Sequence, residues 1–127
     1  MSKELVKEKT LEFIKNELHF DETVVKDMPL KTYGLKTDDV ADIIVEYHTD
    51  EEICPLIIVS CLSEDEEITE EALDKLMDLS DMTMAEYCII TNSKETQMYE
   101  YDGKENAYYL LNNLLTKEDI IEIMSEE

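Results

Sequence analysis

The feature that most limits the fold is an uncharged segment at residues 53–63, in a chain where 35% of residues are charged. Its centre, Leu56-Ile57-Ile58-Val59, is rich in β-branched residues and predicts a strand over residues 55–62. Apolar side chains point to both faces of such a strand, so both faces need a covering layer. The segment is far shorter than the roughly 20 residues that cross a bilayer. It therefore predicts the central strand of a sheet with helices on both sides.

Other elements are predicted before this strand. Residues 40–47 are rich in Val and Ile, which predicts a second strand. The polar residues 49–52 are the predicted hairpin connection to the central strand. Residues 23–31 are predicted to be extended, and Pro29 confines them to a sheet edge or a strand end. A helix over residues 3–18 is predicted from an apolar stripe, with Lys and Glu on the opposite face: Leu5, Leu11, Ile14 and Leu18, widened by Val6 and Phe13.

The elements after the central strand complete a layered α/β pattern. Ser63 and Glu66 have the form of a capping box and predict a helix over residues 66–80. Strands are predicted at 86–92 and 97–101, residues 107–111 fit either strand or helix, and Thr116 is predicted to start a last helix. The order α-β-β-β-α-β-β with a helical tail predicts an α/β fold with one mixed sheet. We expect a single domain over residues 1–127, with its core at 3–102 and an extension at 103–127.

The charge distribution excludes one large class of function. The chain has 33 Asp and Glu against 11 basic residues, all of them lysine, and a formal net charge of −22. Residues 1–36 are balanced, with seven Lys and seven acids, so the whole negative excess lies in residues 37–127. Nucleic-acid binding takes most of its strength from cations at phosphates. We therefore expect no direct binding of nucleic acid.

The cysteines and histidines do not form a recognisable chemical motif. Cys54, Cys61 and Cys88 lie in predicted strands without a C-x-x-C pair, and neither His19 nor His48 is beside a cysteine in sequence. Zinc needs four closely spaced ligands, and a nucleophilic thiol needs an identifiable base. We expect reduced cysteines in the core. Without an apolar leader at its amino terminus, the chain is expected to be a soluble cytoplasmic protein.

Two short segments and the element order resemble a known superfamily. Residues 41–45 are Ala-Asp-Ile-Ile-Val, and residues 87–92 are Tyr-Cys-Ile-Ile-Thr-Asn. With the order α-β-β-β-α-β, they are similar to the PD-(D/E)XK, or restriction endonuclease-like, superfamily. Within it the chain resembles the N-terminal nuclease domain of type I restriction enzyme R subunits and its small stand-alone relatives, over roughly residues 3–102.

This resemblance implies a metal-dependent nuclease site in which an Asp and a Glu hold Mg²⁺ and a nearby Lys stabilises charge. Asp42 occupies the Asp position, but Ser60 and Leu62 stand where the family has Glu-x-Lys. Lys75 and Leu79 stand where its helix motif has Gln and Tyr. Residues 60 and 62 share a strand face, so one pocket loses both groups. We expect a catalytically degenerate nuclease-fold protein that acts by binding and needs no cofactor.

An active enzyme with migrated residues is the alternative. Lys75 could replace the missing lysine from the helix, and Asp42 would then be a Mg²⁺ ligand in a deoxyribonuclease. In the degenerate case, Asp42 is instead a remnant whose carboxylate caps a backbone group. Carboxylates that could complete a migrated site are Glu64 or Glu66 after the strand and Glu12 or Glu17 on the first helix.

A third hypothesis follows from residues 64–81, which carry nine acids and one lysine. Such a surface could imitate a phosphate ladder and occupy a DNA-binding protein, although acidic surfaces also simply keep proteins dispersed. The expected partner is a second protein or another copy of the chain. The tail is rich in apolar residues that are expected to cover the sheet or, alternatively, to mediate self-association: Tyr108, Tyr109, Leu110, Leu111, Leu114, Leu115, Ile120, Ile121 and Ile123.

Overall fold

The computed structural model describes residues 1–21 and 23–126. A short 3-10 helix, Leu30–Tyr33, follows the first strand. The helices and strands, in chain order, are α1 (Lys3–Asn16), β1 (Val24–Pro29), β2 (Val40–His48), β3 (Ile53–Cys61), α2 (Glu70–Thr83), β4 (Tyr87–Thr91), β5 (Thr96–Asp102), β6 (Ala107–Leu110) and α3 (Lys117–Ser125).

The six strands form one mixed sheet in the order β1-β2-β3-β4-β5-β6. Neighbouring strands pair antiparallel except β3 and β4, which are parallel because α2 carries the chain back between them. The predicted mixed sheet is therefore confirmed. Pro29 is the last residue of β1, which is an edge strand of the sheet. A proline is tolerated there because its missing N–H does not interrupt the hydrogen bonds of a central strand.

Helices cover both faces of the sheet, as the uncharged segment predicts. Ile57 and Val59 of β3 pack with residues of α1 and α3, whereas Ile58 packs with residues of α2 on the other face. All three side chains are fully buried. Burying an Ile or Val side chain contributes roughly 1.5–3 kcal/mol to stability. Because these side chains point to opposite faces, β3 contributes to two separate apolar layers.

The buried face of α1 differs from the predicted stripe. Leu5 is 54% exposed and Phe13 is 38% exposed, whereas Lys7 is buried. The face that meets the sheet is formed by Val6, Lys7, Thr10 and Ile14. The burial of Val6, Ile14 and Leu18 confirms part of the stripe. The prediction was wrong for Lys7 because it placed every lysine of this helix on the solvent side.

The start of α2 also differs from the prediction. The helix begins at Glu70, where the Thr69 side chain accepts a hydrogen bond from the Ala72 N–H at 3.2 Å. Ser63 and Glu66 do bond to each other, but they close an isolated turn. The Glu66 carbonyl accepts a bond from the Asn92 side chain at 2.7 Å, which holds this turn against the end of β4.

The tail extends the sheet and covers part of one face. Residues 107–110 form a strand, which decides between the two predicted alternatives. Thr116 and Asp119 make a capping box at the start of α3, and Ile120 is buried with the α1 layer. Ile121 stays 55% exposed, so the tail is only partly buried. In the part of the chain that the structure describes, no helix is both long and apolar enough to cross a membrane.

An ion pair joins the loop after α1 to the start of α3. The Glu118 carboxylate contacts His19 Nδ1, and this hydrogen bond raises the pKa of His19. We expect an NMR titration to give His19 a pKa above the usual value of about 6.5, because the charged imidazole is favoured. Glu118→Gln should lower it, whereas Glu122→Gln should not. An unchanged pKa in Glu118→Gln would contradict this assignment.

Candidate functional site

Strands β2 and β3 separate at one end of the sheet. Their pairing ends at Ile43 and Val59, whereas β2 continues along β1 and β3 continues along β4 to Cys61. Because the two strands are antiparallel, the start of β2 faces the end of β3. Asp42 and Ser60 are the first residues beyond the paired part, on either side of the fork.

The fork opens into a cavity of about 420 Å³ that α2 closes on one side. Asp42 and Ser60 line it from the strands, and Glu66 and Glu71 contribute carboxylates. The structure thus brings together the positions that correspond to the site and helix motifs of the nuclease family: Asp42, Ser60, Leu62, Lys75 and Leu79.

The Asp42 carboxylate already has partners from the protein. One oxygen, Oδ2, accepts a hydrogen bond from the backbone N–H of Cys61 at 2.9 Å. The other, Oδ1, lies 3.3 Å from the Lys3 ammonium and 3.9 Å from that of Lys7. The Asp42 side chain is 18% exposed, so solvent screens these contacts only in part. Both oxygens are therefore engaged within the fold.

Lys7 is the buried centre of an ionic cluster beside the fork, and its partners are partly exposed. Its side chain is 6% exposed, and its ammonium group donates to Asp27 at 2.7 Å and to Glu4 at 3.1 Å. Burial opposes the charge on Lys7, but the hydrogen bonds to Asp27 and Glu4 and the Asp42 charge outweigh it and raise its pKa. The bond from Lys7 correspondingly lowers the pKa of Asp27. We call Lys3, Lys7, Asp27 and Asp42 the fork cluster.

Sequence reasoning missed both lysines of the fork cluster, although a signal was present. Lys3, Lys7, Thr10 and Ile14 follow one another at intervals of four, three and four residues. Such intervals place side chains on one helix face. Since Thr10 and Ile14 are buried, the same face carries Lys3 and Lys7 to the sheet. There Lys7 meets the carboxylates of Asp27 and Asp42.

The carboxylates considered for a migrated site are only partly brought together. Glu66 lines the cavity, but its Oε1 accepts bonds from the Ser63 backbone at 3.3 Å and hydroxyl at 2.8 Å. Among the described lining residues, Glu12, Glu17 and Glu64 are not found. Lys75 lines the cavity and is exposed to solvent. The cavity thus holds one predicted carboxylate besides Asp42.

The residues at the fork do not fit a Mg²⁺ site of the kind that the resemblance implies. Mg²⁺ prefers carboxylate oxygens, and Ser60 and Leu62 supply a hydroxyl and an aliphatic group where Glu and Lys are expected. The ammonium groups of Lys3 and Lys7 lie beside the Asp42 carboxylate, where a bound cation would lie, and they neutralise its charge. Across residues 1–21 and 23–126, no group of three or more His, Cys, Asp or Glu is arranged to hold a metal ion.

The thiols are also poorly placed for chemistry. All three cysteines are free and lie in strands β3 and β4. Burial raises the pKa of Cys61 to about 11 and the pKa of Cys88 to about 11. A thiol with so high a pKa is protonated at neutral pH and is a weak nucleophile. Cys61 serves the fork through its backbone N–H instead.

Comparison with known proteins identifies a family. The sequence model of the family described as type I restriction enzyme R protein N terminus covers residues 2–114 of the 127-residue chain. No curated protein and no solved structure matches the chain. The matched span includes α1, the whole sheet and the fork with its cavity. The chain therefore belongs to the family of type I restriction enzyme R protein N-termini.

Proposed function

We propose that this chain is a catalytically degenerate member of its family, with a PD-(D/E)XK-type scaffold, and that it acts by binding a protein. The observation that supports the proposal most strongly is that the Asp42 carboxylate already has partners within the protein. Its two oxygens are engaged by the Cys61 N–H and by Lys3 and Lys7. Asp42 therefore has a structural role that requires no metal.

The missing groups make the expected loss of activity large. A general acid–base or electrostatic group contributes roughly 10²–10⁴ in rate, and both Glu and Lys are absent from the β3 positions. Ser60 and Leu62 line the cavity in their place. The net charge of −22 further disfavours contact with a phosphodiester.

A cleavage assay tests this proposal. The purified chain is incubated with supercoiled plasmid, linear duplex and single-stranded DNA, with Mg²⁺ and with Mn²⁺. We expect no cleavage above the protein-free background and the same background with Asp42→Ala. Cleavage that is lost in Asp42→Ala but kept in Asp50→Ala, which changes an exposed turn, would overturn the proposal.

One observation favours the alternative of a migrated nuclease site. Lys75, Glu66 and Glu71 line the same cavity as Asp42, so a lysine and three carboxylates are near one another. In that case cleavage should disappear in Lys75→Met as well as in Asp42→Ala. Calorimetry should also show Mg²⁺ binding to the unmodified chain. A flat titration with no cleavage excludes this alternative.

The proposed partner is a protein with a basic surface. The carboxylates of α2 are exposed along its length, with Glu70, Asp74, Asp78 and Asp81 among them. Their like charges favour encounters with cationic surfaces and oppose contact between two copies of the chain. DNA mimicry is the special case in which that partner is a DNA-binding protein. Salt-sensitive competition with duplex DNA for such a partner would identify it.

A further inference from the structure

A second concave surface lies at the end of the sheet opposite to the fork. The fork cavity is lined by the start of β2, the end of β3 and the start of α2. The second surface is lined by the end of β2, the start of β3 and the end of α2, with α3 beside them. Its volume is about 660 Å³. We call it the methionine groove and define it by Tyr47, Ile53, Met82, Met84, Tyr101 and Met124.

Several of the apolar side chains that define the methionine groove are exposed to solvent. Met84 is 85% exposed and Ile53 is 52% exposed, and Tyr47, Met82 and Met124 are each exposed by more than a third. Clustered exposed apolar side chains mark interaction sites more often than scattered ones do. Methionine side chains are flexible and polarisable, so they adapt to partners of different shape.

Met84 is placed in this surface by the end of α2. It caps the helix in a left-handed conformation, with φ of 59°, and its N–H bonds to the Asp81 carbonyl at 3.2 Å. Glycine or asparagine is usual at this position, because a larger side chain is disfavoured there. The cap therefore directs a large apolar side chain into solvent where a small residue would suit the backbone better.

The charges of the groove select the kind of partner. Glu52, Glu86 and Glu100 line it, and none of the described lining residues is Lys or His. The Glu100 carboxylate is held in place by bonds from the hydroxyls of Tyr87 and Tyr109. Apolar side chains with carboxylates beside them, of which that of Glu100 is held in place, complement a segment that carries both large apolar and cationic side chains.

We propose that the methionine groove binds a short amphipathic segment of another protein, in which Lys or Arg accompanies large apolar residues. This inference rests on the proposed function, namely that the chain acts by binding, and it names the class of partner. The groove and the fork have no lining residue in common. A nuclease result at the fork therefore leaves the groove proposal to be tested separately.

The probe is a fluorescent amphipathic peptide made of leucine and lysine, with a leucine–glutamate peptide as its charge control. Binding is followed by anisotropy and by NMR of methionine methyl groups. We expect only the lysine peptide to bind. The methyl signals of Met82, Met84 and Met124 should shift, whereas those of Met28 and Met98, which lie elsewhere, should not.

Matched variants separate a specific groove from general attraction to an acidic protein. Met84→Asn suits the left-handed cap and should weaken binding roughly fivefold or more, as removal of a central contact does. Leu5→Gln, which removes another exposed apolar side chain, on α1, should leave binding unchanged. Glu52→Lys should weaken binding about threefold or more, and Glu71→Lys at the fork should have a smaller effect. Equal losses for Glu52→Lys and Glu71→Lys, or shifts spread over all methionines, would overturn the proposal.

Discussion

Lys7→Met is expected to lower the free energy of unfolding by about 2–3 kcal/mol, because it leaves the carboxylates of Asp27 and Asp42 beside an apolar side chain. Methionine keeps most of the volume of the lysine stem, so the loss reports the missing charge. Asp27 is about half exposed, and its hydration keeps the loss at or below the lower end of the roughly 3–5 kcal/mol known for breaking a buried pair. Urea denaturation of both proteins measures the difference.

Lys9→Met is the matched control, since Lys9 is exposed on the same helix and its replacement should change stability by no more than about 0.5 kcal/mol.

The difference in the free energy of unfolding between Lys7→Met and the unmodified chain should also depend on pH. The lowered pKa of Asp27 makes its contribution complete above about pH 4 and lost as the pH falls below that. The raised pKa of Lys7 makes its contribution complete below about pH 10 and lost at higher pH. Equal losses for Lys7→Met and Lys9→Met would show that the fork cluster is not stabilising.

Asp42→Ala is expected to destabilise the fold by about 2 kcal/mol without any metal present, because the Cys61 N–H loses a charged acceptor and Lys3 and Lys7 lose a partner. Asp42→Asn keeps an acceptor oxygen for Cys61 and should lose about half as much. The comparison divides the effect between the hydrogen bond and the ion pairs. Thermal unfolding in EDTA and in millimolar Mg²⁺ is the measurement.

A carboxylate held in place for a catalytic metal behaves in the opposite way. Its removal usually leaves stability unchanged or increases it, because such groups are poorly paired before the metal binds. Added Mg²⁺ would then raise Tm in the unmodified chain but not in Asp42→Asn. Asp50→Ala should match the unmodified chain in both conditions. A stabilised Asp42→Ala would contradict a structural role for Asp42.

The sheet and its layers could be predicted from sequence because their signals are local and repeated. The alternating burial of Ile57, Ile58 and Val59 follows from an apolar strand that is covered twice. The start of α2 could not be placed in the same way, because both Ser63 and Thr69 are suitable N-cap residues. Thr69 is the N-cap in the structure, whereas the carbonyl of Glu66 accepts a hydrogen bond from Asn92, which is distant in sequence.

The grouping of the candidate residues could be predicted from the sequence, but their ion pairs could not. The resemblance named Asp42, Ser60, Leu62 and Lys75, and the fold gathers all four around one cavity. The pairing of Asp42 with Lys7 depends on the packing of α1 across the sheet, which no local pattern specifies. Lysine on a helix is usually solvated. The spacing of Lys3, Lys7, Thr10 and Ile14 indicates one helix face, but it does not indicate which carboxylates Lys7 meets at the sheet.

The single parallel pairing has a consequence for the order in which the chain folds. Ile57 pairs with Tyr87, thirty residues further along, whereas Val45 pairs with Ile57 across a short hairpin. Closing a long loop costs more chain entropy than closing a short one, and non-local pairing slows folding. We expect the β1–β3 meander to assemble early and the β4–β6 meander to dock onto it in the rate-limiting step, with α2 already formed.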